Sequence, residues 1–433
     1  MSFIPKIELQ SPEVILAFQL QKLNELLPYL RAKSPFYKKH FSTHTFNTDS
    51  LRSLNDLTTL PPVSKDDLQT NNWDFLCVDR KEIVEYTSTS GTLGKPVTIA
   101  LTENDLKRLA YNEYISFACA DGSSDDVYQL MLTLDRQFMA GIAYYEGIRQ
   151  LQAGVIRIGP GLPALQWETI ARLKPTAIVA VPSFIVKLME YAELNGIDYQ
   201  STSVKKAICI GESLRTAELE LNTLGKRIRD HWGITLFSTY ASTEMQTAFT
   251  ECTHGQGGHL HPELLIAEFL DENHQPVKEG EPGEVVITTL GVEGMPLLRY
   301  KTGDIARHYT TPCSCGRTTL RIGPIEGRRQ QMIKLRGTTI YPAMIFELLH
   351  QISEVKDYAV EVSTGELGTD ELKFYLAVKS APDPALITRI KSFVQSRLRV
   401  LPDILFCTPQ EMEQMHMAGQ IRKPKKFIDN RIK

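Results

Sequence analysis

A chain of 433 residues with 42% hydrophobic and 23% charged content is long enough for two or three packed domains. A net charge of −3 gives no general attraction for nucleic acid, and no stretch approaches the roughly 20 apolar residues of a membrane span. The N-terminus lacks an apolar run of signal-peptide length, and the seven cysteines are odd in number and scattered, which argues against a disulfide framework. These features predict a cytoplasmic enzyme.

Glu13–Lys33 spaces its leucines for one amphipathic helix, ended by Ser34-Pro35-Phe36-Tyr37. Ser64 is placed to cap a short helix over Lys65–Leu68. Next comes Tyr86–Pro96, rich in hydroxyl residues and Gly and closed by Gly94, Lys95 and Pro96. Gly91 and Gly94 let consecutive N–H groups converge on one anion. Ser88, Thr89, Ser90 and Thr92 add hydroxyl donors, and Lys95 adds a positive charge. That is the chemistry of a polyphosphate cradle. It is not a Walker A loop, because Lys95 is followed by Pro96 instead of a Ser or Thr opening a helix.

Asn104–Cys119 is helical in pattern. Val155–Ile158, Ala177–Val181, Lys206–Ile210 and Ile234–Thr239 read as strands, with helices over Phe184–Leu194 and Leu214–Trp232. This alternation predicts an α/β architecture around a largely parallel sheet. After Met245 the character turns β-rich, with strands expected at Leu264–Leu270, Glu284–Leu290 and Leu297–Tyr300. Beyond Gly327 a strand–helix–strand–helix series, Met332–Leu335, Met344–Ile352, Leu372–Val378 and Leu386–Val400, predicts a small α+β domain. The expected boundaries are a large domain over residues 1–327 and a small one over 328–433.

Four further stretches carry chemistry. In Phe237-Ser-Thr-Tyr-Ala-Ser-Thr-Glu244, at a strand end, Tyr240 offers a ring for stacking a base. In the same stretch Thr243 offers a phosphate donor and Glu244 an oxygen ligand for Mg²⁺. Gly211 and Glu212 end the preceding strand. In Leu298-Arg-Tyr-Lys-Thr-Gly-Asp304, an ionised Asp304 can accept two hydroxyl donors at once. Arg422-Lys-Pro-Lys-Lys-Phe-Ile-Asp429 is a basic C-terminal segment. Separately, Cys252, His259, Cys313 and Cys315 could complete a closed tetrahedral structural Zn²⁺ site, with His254 or His261 as substitutes for His259.

Taken in order, these stretches resemble the adenylate-forming superfamily over nearly the whole chain. The short length, the opening helix with Pro-Phe-Tyr and the Cys-x-Cys-Gly-Arg turn resemble its phenylacetate–CoA ligase branch. The resemblance implies a large adenylation domain, with mixed sheets, helices and a β-rich subdomain, and a mobile C-terminal domain. It assigns the phosphate loop to residues 88–95 and the base, phosphate and Mg²⁺ roles to the segment of Tyr240, Ala241, Ser242, Thr243 and Glu244. Ala241 stands where Gly is usual. Gly211 and Glu212 would line the adenine pocket, Asp304 would bind both ribose hydroxyls, and Arg328 would contact ribose or phosphate. Gln330 falls at the hinge position, where Asp or Lys is usual. Lys423 aligns with the catalytic lysine, with Lys425 as competitor.

Cysteines like these recur in that branch, which implies a zinc clip. Leu132–Ala143 occupies the aryl-pocket region, where Phe138 and Gly141 fit and where Asp135 and Arg136 would be costly if buried. The implied reaction joins a carboxylic acid, phenylacetate-like or a hydroxylated aryl or indole acid, to coenzyme A with ATP and Mg²⁺ by way of an acyl-adenylate. Two other readings stay open at this point: an adenylating enzyme with a carrier-protein or other acceptor, and a noncatalytic nucleotide-binding protein. The sequence also leaves open whether the chain forms a homodimer.

Overall fold

The computed structural model describes residues 3–49, 51–89, 97–335, 338–365, 370–398, 402–417 and 425–431. The chain divides into two compact units, Met1–Ile325 and Glu326–Lys433.

A mixed sheet of nine strands organises the first unit. One half is parallel, in the spatial order Gly154–Arg157, Val127–Leu130, Ala177–Ala180, Lys206–Cys209 and Thr235–Ser242. The other half continues antiparallel through Thr247–Glu251, Gly258–His259, Arg321–Ile322 and His308–Tyr309. Ala177–Ala180 is buried along its whole length, as expected of a strand covered on both faces. Strand order reverses around Val127–Leu130, so the carboxyl ends of the neighbouring strands form the crevice where α/β sheets bind ligands. A separate antiparallel sheet pairs Leu265–Leu270 with Gly283–Thr289, and the latter with Tyr300–Ala306.

The architecture is the expected α/β one, and several elements differ from the sequence reading. The strand Val127–Leu130 was not expected. Its central Gln129 breaks the apolar run, yet it is fully buried and donates to Gln166 Oε1 at 2.8 Å. The helix expected over Leu214–Trp232 covers only Thr223–Trp232. Asn222 caps it by accepting from the Gly225 N–H (2.9 Å), while its amide donates to the Ser213 carbonyl (2.7 Å), which holds the preceding residues as a loop. Thr247–Glu251 extends the main sheet instead of opening a subdomain.

The strand expected at Leu297–Tyr300 lies further on, at Tyr300–Ala306, so Thr-Gly-Asp is strand and not turn. Arg299, fully buried with φ +49°, turns the chain just before it. Its guanidinium donates to the Leu57 carbonyl (2.8 Å), to the Leu60 carbonyl and to both oxygens of Glu268 (2.8 and 3.0 Å). Ser34-Pro35-Phe36-Tyr37 ends the first helix, Pro12–Lys33, and opens a second, Pro35–Thr43. Tyr37 is fully buried and its hydroxyl accepts from the Leu298 N–H at 2.7 Å, so the N-terminal helices brace the strand that carries Asp304.

The second unit is α+β. Val355–Thr364 and Asp370–Val378 pair antiparallel, flanked by the parallel strands Phe427–Asp429 and Asp403–Phe406. Helices Pro342–His350, Pro384–Leu398 and Pro409–Met417 accompany them. Val355–Thr364 escaped the sequence reading because Lys356, Asp357 and Glu361 interrupt its apolar residues. Among the described residues no helix is long and apolar enough to cross a membrane.

Candidate active site and metal centre

Two motifs far apart in sequence meet beside the carboxyl edge of the parallel strands. Tyr240, on the strand Thr235–Ser242, donates its hydroxyl to Asp304 Oδ2 at 2.9 Å across 64 residues of chain. Its half-buried ring packs 5.9 Å from Phe249, leaning against the cross-strand partner of Tyr240. Asp304 is buried on Tyr300–Ala306, where Gly303 adopts φ +79° and Thr302 Oγ1 accepts from the Asp304 N–H (3.1 Å). From the first residue of that strand, the Tyr300 hydroxyl donates to Glu244 Oε1 at 3.4 Å. Thr243 and Glu244 occupy the turn that joins Thr235–Ser242 to Thr247–Glu251, both half-buried. A flat ring, a buried carboxylate, a hydroxyl and a second carboxylate therefore converge at one end of a β-hairpin. Such a set can hold a base, a ribose diol and a cation-bearing phosphate.

The phosphate-loop residues Ser90, Gly91, Thr92, Gly94 and Lys95 lie outside the described residues, as do Arg422 and Lys423. The base of that loop is described. Thr89 N–H donates to the Val97 carbonyl and Val97 N–H donates to Thr89 Oγ1, both at 3.0 Å, so Thr89 closes the loop stem. Ser88 N–H donates to the Gln137 carbonyl (2.9 Å), which ties the stem to the segment ahead of Phe138.

Gly211 follows the strand Lys206–Cys209 with φ +74°. The Glu212 carboxylate points elsewhere, accepting from Ser183 N–H (2.9 Å) and Ser183 Oγ (2.8 Å) at the start of Pro182–Leu194. It caps that helix, as carboxylates at helix N-termini do. Ala241 is exposed, and Ser242 Oγ accepts from the Met245 N–H (3.2 Å), shaping the turn.

In the segment expected to form the acyl pocket, Phe138 packs with Leu134 against the cluster of Phe117, Tyr144, Ile208, Ile210 and Phe237. Asp135 and Arg136 are exposed and pair loosely with each other, so the feared burial of charge does not occur. Gly141 has a packing reason. A Cβ there would lie 2.5 Å from the Thr133 carbonyl oxygen, closer than atoms can approach. In the second unit Gln330 is exposed in the turn Arg329–Gln331, and its carbonyl accepts from Arg431 at 3.1 Å. Arg328 is half-buried just before it, and Lys425 N–H donates to the His416 carbonyl.

The cysteines gather at the other end of the main sheet. One ligand atom each from Cys252, His259, Cys313 and Cys315 lies within 4.8 Å of the others. Cys252 Sγ stands 3.7 Å from Cys313 Sγ, and Cys315 Sγ stands 3.5 Å from His259 Nε2. Tetrahedral zinc with bonds of about 2.3 Å to sulfur and about 2.0 Å to nitrogen generates edges of about 3.8 and about 3.5 Å. The donor set and its spacing fit zinc. His259 Nδ1 meets Thr319 Oγ1 at 3.2 Å, which fixes the ring with Nε2 toward the sulfurs. Burial lowers the His259 pKa and so favours the neutral, metal-binding imidazole. The Cys315 thiol is held well below its ordinary value, chiefly by a hydrogen bond from Cys252, so the cluster already favours a thiolate. Both ring nitrogens of His261 are engaged elsewhere, with Glu8 (2.5 Å) and Ser116 (3.1 Å).

Sequence reasoning passed over two buried arginines that hold the site. Arg299, described above, sets the strand of Asp304. Arg108 donates to the carbonyls of Leu290 (2.6 Å), Gln246 (2.7 Å) and Leu264 (2.6 Å), fixing the residue two after Glu244. For Arg299 the signal was adjacency to a chemical motif; Arg108 shares its buried helix face with Asp105 and Asn112 and gave none.

The AMP-binding enzyme family matches residues 48–294. The phenylacetate-coenzyme A ligase of Thermus thermophilus is 30% identical over 384 residues, covering 86% of this chain and 84% of that protein. The enzyme of the same name from Escherichia coli is 28% identical over 386 residues, covering 86% and 85%. Among solved structures, a 2-hydroxyisobutyryl-CoA ligase in complex with 2-HIB-AMP superposes with a TM-score of 0.86 over 98% of this chain and 92% of that one. At 23% identity this is a likeness of fold.

Proposed function

We propose the reaction from the premise that the chain belongs to the AMP-binding enzyme family, in its phenylacetate–CoA ligase branch. It is an ATP-dependent acid–thiol ligase that works through an acyl-adenylate and a CoA thioester. The observation that carries the site assignment is the Tyr240–Asp304 hydrogen bond of 2.9 Å, which joins the base-stacking and ribose-binding motifs.

In the first step the polyphosphate of ATP lies against residues 88–95, with adenine on Tyr240 and beside Gly211, and the ribose diol on Asp304. Glu244 would hold Mg²⁺, which would supply positive charge to offset that of the phosphates. Lys423 bridges the substrate carboxylate and the α-phosphate while the carboxylate attacks and pyrophosphate departs. No side-chain nucleophile is needed, since the substrate itself attacks. For the second step the domain over residues 328–433 turns about Gln330, withdrawing Lys423 so that the CoA thiol reaches the acyl carbon and AMP leaves. Arg328 contacts the nucleotide from the hinge.

The acid is an aryl acid of the phenylacetate kind. The apolar cluster around Phe138 and the outward placement of Asp135 and Arg136 support this, because no charge then opposes an apolar ring. Cys252, His259, Cys313 and Cys315 would hold a structural zinc, which would tie their strands and turn together. A cytoplasmic location follows from the dependence on ATP and CoA.

Lys423→Ala and Lys425→Ala, each assayed in both half-reactions, test the catalytic assignment. Lys423→Ala is expected to abolish pyrophosphate exchange while sparing thioester formation from supplied acyl-adenylate. Equal loss in both halves, or loss of exchange only in Lys425→Ala, overturns it.

A further inference from the structure

One buried ion-pair chain beside the cysteine cluster is not used by the reaction, and it ends in the N-terminal segment. Glu8 lies in the single turn Lys6–Leu9, ahead of the first long helix, yet its side chain is fully buried. Its Oε2 accepts from Arg317 Nε at 2.6 Å and its Oε1 meets His261 Nδ1 at 2.5 Å. Its backbone carbonyl accepts from Thr318 N–H (2.9 Å) and from Thr318 Oγ1 (3.2 Å). Phe3 adds a ring contact to Tyr114 at 5.3 Å.

Arg317 faces the cluster from the other side. It stands two residues after Cys315 and its Nη1 lies 3.6 Å from Cys315 Sγ. Its carbonyl accepts from the Cys313 N–H (2.9 Å), closing the turn that presents both thiols. Among the described residues Glu8 is the only carboxylate paired with Arg317, and the buried Arg317 Nη2 has no partner. A guanidinium sealed in this way is held by Glu8 on one side and by sulfur on the other.

The charges explain the arrangement. Three thiolates around a divalent ion leave one net negative charge, which burial makes costly unless a cation adjoins it. Arg317 is the cation that adjoins the thiolates, and Glu8, which carries a negative charge of its own, fixes its position. We propose that Glu8 and Arg317 are positioning residues for the metal centre, so that metal occupancy and docking of the N-terminal turn form one linked equilibrium. This rests on the zinc reading given above. Linkage is reciprocal: whatever factor the docked turn adds to metal affinity, the bound metal adds to docking of the turn.

The test uses the full chain loaded with zinc. Zinc release to a chromogenic chelator is timed for the wild type and for Glu8→Gln, which keeps shape and removes charge. Hydrogen exchange of Lys6–Leu9 in the wild type is measured before and after zinc removal, and needs no variant. Release about 10-fold or more faster in Glu8→Gln, the size usual for outer-shell partners of a metal, supports the link. So does faster exchange at Lys6–Leu9 in the metal-free chain, with exchange of Val355–Val378 unchanged. Unaltered release from a folded Glu8→Gln, or N-terminal exchange indifferent to zinc, overturns the link while leaving the metal site standing. A chain that takes up no zinc at all overturns both.

Discussion

The hairpin of Thr235–Ser242 and Thr247–Glu251 carries a different site at each end. Its turn end holds Thr243 and Glu244 with Tyr240 close behind, half-buried and facing Asp304 and Tyr300. Its other end runs from Glu251 into Cys252, where three cysteines and His259 converge, with His259 fully buried. The five residues Thr247–Glu251 separate the two, roughly 16 Å of strand at about 3.3 Å per residue. The turn end offers polar groups in a half-open place, as substrate exchange requires. The cysteine end offers four ligands and no vacant position, as a structural clip requires. On the proposed roles, the same backbone would support turnover at one end and permanence at the other.

That contrast can be broken from either side. The largest effect is expected from Cys252→Ala, which should eliminate zinc and lower unfolding free energy by more than about 4 kcal/mol, seen as zinc content and thermal midpoint. Asp304→Ala should leave both of those near wild type. It should instead cut kcat/KM for ATP by about 100-fold or more, since hydrogen bonds to a charged group are worth about 1.5–3 kcal/mol each. If Asp304→Ala also released zinc, the two ends would not be independent.

Tyr240→Phe sharpens the comparison by keeping the ring and deleting only the hydroxyl bonded to Asp304. A rise of about 10-fold in KM for ATP, with kcat nearly unchanged, is the expected size for losing one hydrogen bond to a carboxylate, at the lower end of about 1.5–3 kcal/mol. A further way to sharpen it is a pH dependence that arises between the two sites. Burial pushes the Glu113 carboxyl up to about 8, so the folded chain holds a proton there that the unfolded chain releases near 4.5. Stability from this group is fully present below about 4.5 and is lost as pH rises through about 8. Glu113→Gln should therefore match the wild type at pH 5 and exceed its thermal midpoint at pH 8.5. Parallel midpoint-versus-pH curves would contradict the assignment.

How much the sequence revealed follows the same division. The nucleotide end was legible because Tyr240–Glu244 and Leu298–Asp304 are contiguous runs whose chemistry can be read residue by residue. The cysteine end could be named with His259 as its fourth ligand, but His254 and His261 stayed open as substitutes, because the choice depends on which ring faces the sulfurs in the folded sheet. Strands carrying a satisfied polar residue, such as Gln129, were hidden from periodicity. The loop before Thr223 was hidden because Asn222 acts through a cap that composition alone does not reveal. Arg299 and Arg108 were missed for a related reason: their partners are backbone carbonyls and, for Arg299, a Glu268 carboxylate 31 residues away, and neither kind of partner can be matched to its arginine from the sequence.

The most direct test of the account is AMP release from Mg·ATP by the purified zinc-loaded chain across a panel of aryl and aliphatic acids, with and without CoA. AMP formation that requires both CoA and an aryl acid of the phenylacetate kind is the predicted result. AMP release indifferent to CoA, or none with any acid despite ATP binding, would contradict it.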